Sequence, residues 1–238
     1  MTETEPVSNP RGQRTALTVI GLIGVLAIGF ALGFLVKLPV GGETTPVPAA
    51  DSVDVGFSQD MTVHHNQAVD MATIALTKSG DQPVKNLAYD ILTTQQNQVG
   101  QMQGWLALWD RAPMPTDGYM TWMTETDGGH GGHSGHGTTT QSGDAAASSG
   151  GGAMPGMASP QEMAALGQAS GTELDVMFLQ LMLRHHQGGL PMMEYAAQYA
   201  DVAAVRNLAE KMVATQKGES DLITSMLAER GASPLPMN

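Results

Sequence analysis

Two histidine doublets, His64-His65 and His185-His186, each follow a methionine at a spacing of three, Met61 and Met182, and precede another within two helical turns, Met71 and Met192. Imidazole nitrogen with thioether sulfur is the ligand set expected for copper, Cu(I) above all, whereas zinc and iron favour thiolate, imidazole or carboxylate. The chain has no cysteine, so a soft metal would depend on its 17 Met and 7 His. The same absence excludes disulfides and thiolate metal sites. Packing offers a competing explanation, because methionine fills cores and a buried His-His pair can serve as a satisfied polar layer. One such motif would favour packing. Two copies at the same spacing favour a metal.

The doublets belong to a longer duplication. Residues 57–115 align without a gap on residues 178–236 at a constant offset of 121, with 17 identities in 59 positions. Apolar matches are what any repeated fold retains for packing, so the informative identities are polar or soft: Gln59/Gln180, Met61/Met182, both doublets, Met71/Met192 and Gln95/Gln216.

These groups must be positioned by helices. With His64 at the origin and ~100° per residue, Phe57, Met61, Ala68, Met71 and Ala75 fall within about 60° of it, a stripe that no strand produces. Ser79-Gly80-Asp81 and Pro83 supply a stop, a turn and a new start, predicting a second helix to about Asp110. In the second copy, Thr172 with Asp175 and then Asp201 are the expected helix caps, Gly231 is the stop, and Ser159-Pro160-Gln161-Glu162 predicts a short additional helix. Each hairpin leaves an apolar side uncovered, and packing the two together as a four-helix bundle buries both. Counting outward from the turn sets His64 level with Gln95 and Gln98, and His185 with Gln216 and Glu219. These partners suit a buried polar layer and a metal ligand equally, since a ligating imidazole donates its other N–H to such a group. Adjacent residues point ~100° apart, which predicts His64 and His185 inside and His65 and His186 at the flank.

The segments FSQDMTVHHNQAVDM followed by QQNQ, and FLQLMLRHHQGGLPM followed by QKGE, resemble the motif of the family catalogued as domain of unknown function 305. The resemblance covers both repeats. It implies a ferritin-like four-helix bundle, often extracytoplasmic and in some members associated with copper, and it implies a metal role for Met61, His64, His65, Met71, Met182, His185, His186 and Met192. Two departures stand out: Gln98 occupies the position of a motif glutamate, and Gly188-Gly189-Leu190-Pro191 replaces an alanine-centred stretch. Pro191 removes a backbone hydrogen bond and predicts a kink beyond His186. Glu-x-x-His pairs of the di-iron kind are absent around His64 and His185, which disfavours a ferritin-type oxidase.

The remaining chain sets the context. Residues 15–36 are almost wholly apolar and uncharged, long enough as a helix for the ~30 Å hydrocarbon layer. Arg11 and Arg14 precede this run, which predicts an uncleaved anchor with residues 1–14 in the cytoplasm and the rest outside the cell membrane; a cleaved signal peptide is the rival reading. A linker over 37–53, a first hairpin over 54–115, a flexible Gly/His/Met-rich loop over 116–158 and a second hairpin over 159–238 complete the expected order. In the loop, His130, His133 and His136 form a candidate weak metal site, since ordering such a segment around an ion costs entropy. Beyond Lys37, 21 acidic and 8 basic residues give a charge of −13, which argues against nucleic acid. The expectation is a single-pass, all-α, extracytoplasmic copper-binding protein for storage, buffering or delivery. Its partners are a metal ion and, through the N-terminal helix, the lipid bilayer; the sequence identifies no protein partner. No nucleophile, base and oxyanion arrangement is visible, so binding is favoured over turnover. The rivals are a metal-free structural or interaction bundle and a metal-dependent enzyme of another type.

Overall fold

The computed structural model describes residues 22–30, 33, 47–116, 118–123 and 154–238. Residues 1–46 and 47–238 form separate units. In the first, residues 22–30 and 33 are helical and the remainder of the expected membrane segment lies outside the described residues. Among the described residues, no helix is long and apolar enough to cross a membrane.

The second unit is all-helical, with no strand among the described residues. Its elements are α1 (Val53–Lys78), α2 (Gln82–Leu108), α3 (Pro160–Gln168), α4 (Gly171–Tyr199) and α5 (Ala203–Glu229). Helices α1 and α2 form one antiparallel hairpin and α4 and α5 the other, and the two meet through α1 and α4. One apolar cluster gathers Met71, Ile91, Met182 and Ile223; the other gathers Phe57, Met61, Met102, Met192 and Met212. Residues of both hairpins therefore fill each half of the core.

Local chemistry explains the element ends. Ser52 caps α1 by accepting from the Val55 amide at 3.3 Å, and Asp81 caps α2 by accepting from Val84 at 3.2 Å, with Pro83 in the first turn. Each such cap stabilises a helix by about 1 kcal/mol. Ser159 and Glu162 form the expected capping box on α3, and Gly231, at φ +63°, follows α5. Helix α2 ends at Leu108, slightly earlier than expected, with Asp110 at φ 54°. Helix α4 runs without a break through Pro191 to Tyr199.

Two expected caps are replaced by contacts between the hairpins. The N-cap of α4 is Ser170 and that of α5 is Val202, neither with a side-chain cap bond. Asp175 instead accepts from the Ser79 hydroxyl at 2.6 Å, in the turn between α1 and α2. Asp54 accepts from the backbone amides of Asp201 and Val202 at 3.1 and 2.8 Å, in the turn between α4 and α5. Asp54 and Asp175 are themselves related by the offset of 121, so each hairpin's first turn holds the other's loop.

Parts of the segment read as a flexible loop pack on the hairpins. Trp122 is buried, its ring set edge-on against Phe57 at a centroid distance of 6.0 Å and its indole N–H donating to Asp60 Oδ2 at 2.8 Å. Gly56 permits this approach, because a Cβ there would lie 2.3 Å from the Trp122 ring. Met154 and Ala158 are buried as well. Residues 124–153, including His130, His133 and His136, lie outside the described residues.

Candidate functional site

All four histidines of the doublets are completely buried, as are Met61, Met71, Met182 and Met192. Burial thus extends to His65 and His186, the positions expected at the flank of the stripe. Hairpin partners enclose one side of each doublet and the opposing hairpin encloses the other, so two positions ~100° apart both face protein.

His64 and His185 meet at the contact between α1 and α4, with ring centroids 3.8 Å apart, while His65 and His186 lie outward at 6.5 and 6.4 Å from their neighbours. Expected pairings shift by one residue. Gln98 Oε1 bonds His65 Nε2 at 2.7 Å, and Glu219 Oε2 bonds His186 Nε2 at 2.6 Å. His185 Nε2 donates to the His64 carbonyl at 3.0 Å, and His64 Nε2 faces the Pro155 carbonyl at 3.4 Å. Gln95 and Gln216 are buried, but neither end of either carboxamide has a partner among the described residues.

Carbonyl and carboxylate oxygens only accept, so each Nε2 carries a proton, and a neutral ring then retains its lone pair on Nδ1. All four Nδ1 atoms are buried without a hydrogen-bond partner among the described residues. Leaving such an acceptor unpaired costs about 1–3 kcal/mol. Burial also keeps His64, His65 and His185 neutral. It lowers His64 to about 4, against the opposing effect of its bond to Pro155. Burial, reinforced by His64, lowers His65 to about 3. His185 is held well below the ordinary value, first by burial and then by the neighbouring histidines. A neutral imidazole with a free nitrogen, anchored through its other nitrogen, is the form that ligates copper.

The thioethers are divided across the duplication. Met61 lies in one cluster with Met192, and Met71 lies in the other with Met182, so each half of the core receives one repeated methionine from each hairpin. Among the described residues, no group of three His, Asp or Glu side chains converges on a point that would hold an ion.

Several contacts around the histidines had no local signal in the sequence. Gln67 bonds the amide and carbonyl of Ala158 at 2.7 and 2.8 Å, fixing residues 154–158 beside His64. Gly188 lets that segment settle on α4, since a Cβ there would lie 2.3 Å from the Pro155 oxygen, and Asn238 bonds the backbone of Gly156 and Met157. Buried Arg184 pairs with Glu162 at 2.8 Å, and that bond first of all lowers the Glu162 carboxyl to about 2. Only Asp54 and Asp175 had a sequence signal, as an identity just upstream of the 59 aligned positions.

The profile described as "Domain of unknown function (DUF305)" matches residues 54–227. The crystal structure of a DUF305 protein from Streptomyces coelicolor is similar, with 39% identity, a TM-score of 0.66, and coverage of 79% of this chain and 99% of that one. A DUF305 fragment from Deinococcus radiodurans is 29% identical, with a TM-score of 0.57 and coverage of 77% and 99%. The Cu(I)-bound form of CopM shares the fold at 22% identity and a TM-score of 0.52, covering 74% of this chain and 96% of its own. No curated protein matches the chain.

Proposed function

The chain belongs to the DUF305 family, and from that premise we propose that it is an extracytoplasmic copper-binding protein, held at the membrane by residues 15–36 and acting in storage, buffering or delivery. In this reading its four long helices are a ferritin-like bundle that carries copper rather than a di-iron centre. The observation that carries the proposal is the set of four buried imidazoles, each with Nε2 committed to an acceptor and Nδ1 unpartnered.

His64, His65, His185 and His186 supply nitrogen in this proposal. Met61 with Met192, and Met71 with Met182, supply sulfur from the two halves of the core. Gln98 and Glu219 orient the outer rings, Gln95 and Gln216 are further polar neighbours, and His130, His133 and His136 offer weaker capture. The donor set favours copper over zinc because thioether is a soft ligand and thiolate is absent. That CopM is known in Cu(I)- and Cu(II)-bound forms is compatible with this choice of metal. The candidate secreted nature of the Streptomyces relative and the apolar run at 15–36 support the placement outside the cytoplasm.

The test is metal retention by the full chain in detergent, with copper, zinc and iron offered in competition under reducing and oxidising conditions. Wild type is expected to retain copper selectively, and His64→Ala with His185→Ala to lose most of it. Retention of no metal, with melting unchanged by copper, would leave a structural bundle as the better reading.

A further inference from the structure

One end of the bundle gathers the start of α1, the ends of α2 and α4 and the start of α5, as the bonds between Asp54 and the α4–α5 turn require. It holds all three tryptophans of the chain, Trp105, Trp109 and Trp122, and three of its four tyrosines, Tyr119, Tyr195 and Tyr199. Trp122 is buried against Phe57 and Tyr195, where it serves the core. The last turn of α2 differs. Trp105, Leu108 and Trp109 lie three and four residues apart and share a face. The two indoles stack with centroids 6.3 Å apart and stay partly exposed, and Leu108 is 81% exposed. Tyr199, 38% exposed, closes α4 at the same end. A single exposed leucine is ordinary; one beside two partly exposed indoles makes a patch. The chain arriving from the N-terminal side is fastened next to it. Arg111, two residues beyond Trp109, donates to the Pro48 carbonyl from Nε at 3.1 Å and from Nη2 at 2.7 Å.

We propose that this end of the bundle docks on the membrane surface, with Trp105, Leu108, Trp109 and Tyr199 entering the headgroup region of a zwitterionic bilayer. The inference rests on the anchoring by residues 15–36 proposed above and adds a second lipid contact, made by the bundle itself. Residues 37–46 alone separate the apolar run from Val47, about 35 Å even at full stretch. The 26 residues of α1 extend about 39 Å beyond that point, so of the two bundle ends this is the one its own chain keeps near lipid. Tryptophan and tyrosine suit the headgroup layer because each joins an apolar ring to a polar tip. A patch held there by its own chain meets lipid at high effective concentration, so a contact too weak to recruit a free protein suffices. Asp51, Asp110 and Asp201 are exposed at the same end, which opposes an anionic surface and favours headgroups without net charge.

All three tryptophans belong to the bundle, so native fluorescence reads this contact without a label. Full chain would be reconstituted in phosphatidylcholine vesicles carrying a bromine or nitroxide quencher near the headgroups, and compared with vesicles lacking it. The labelled lipid is expected to quench wild-type emission, and to lose most of that effect in Trp105→Phe with Trp109→Phe, which keeps the buried Trp122. Leu108→Glu changes an exposed position and is expected to leave the melting temperature in detergent unchanged, yet to shift the docked-to-free ratio about 10-fold through the lost burial of one leucine. Emission that the labelled lipid leaves unaltered, or equal quenching of wild type and Leu108→Glu, overturns the docking. So does a patch shielded from labelled lipid and from aqueous acrylamide alike, which would assign its cover to residues 124–153 or to a second copy of the chain. Failure of the chain to float with the vesicles overturns the anchor instead.

Discussion

The two hairpins derive from one pattern, yet the chain between them lands differently on each. On the first, Trp122 seats over Gly56, and Asp60 receives the Met120 amide at 2.6 Å and the Trp122 indole at 2.8 Å. On the second, Gly156 and Pro155 seat over Gly188, and the same strap is pinned back to the first hairpin by Gln67. Gln67 and Gly188 are equivalent positions in the duplication: one side chain grips the strap, and the missing Cβ of the other admits it. Even the central rings reflect this. His185 donates to the His64 carbonyl, whereas His64 turns to the Pro155 carbonyl, with Gly189 leaving space beside its ring. A duplicated scaffold therefore yields inequivalent imidazoles, because the connecting segment is present once.

Acid should have the largest effect, acting on the centre that both hairpins share. The folded values of about 4 for His64 and about 3 for His65 lie below the ordinary 6.5, so as pH falls the unfolded chain takes up protons first. Stability of the metal-free protein is complete above about 6.5 and declines through the interval down to about 3–4. Thermal melts across this range would show it, and a melting temperature flat from neutrality to pH 4 would contradict the buried, neutral rings.

Glycine substitutions probe the seats. Gly188→Ala pushes a Cβ against the Pro155 carbonyl and is expected to cost about 1–3 kcal/mol. Gly100→Ala in α2 meets no atom within 4 Å and should stabilise by up to about 1 kcal/mol. Chemical denaturation of both variants checks the opposite signs.

The reciprocal aspartates should give the smallest asymmetry. Asp54→Ala leaves two backbone amides of the α4–α5 turn without an acceptor, against one serine hydroxyl for Asp175→Ala. At about 1 kcal/mol per bond, Asp54→Ala should be the more destabilising by about 1 kcal/mol, and the reverse order would argue that these turns are held by packing instead.

Much of this arrangement was legible beforehand, for identifiable reasons. Met61, His64 and Met71 fall on one face through the helical period alone, and the Ser159–Glu162 capping box is a contact within one turn. Pairing of Gln98 with His65 rather than His64 was misread because counting outward from a turn sets a level along the helices without choosing between side chains ~100° apart. Burial of His65 and His186 was missed for a related reason: periodicity locates one apolar stripe, but a helix packed on two sides has a second protected face.

Residue types, their spacing and the duplication determined by themselves that two helical hairpins would form and that each would carry imidazole and thioether toward its interior. Tertiary structure alone decided which ring meets which acceptor, that Met61 shares a half of the core with Met192 rather than with its own repeat's Met71, and that Pro155 closes over His64. The reason is range. Helical period and capping act over a few residues, whereas the contacts that distinguish the four imidazoles join positions 33, 91 and 121 apart, and only packing brings those together.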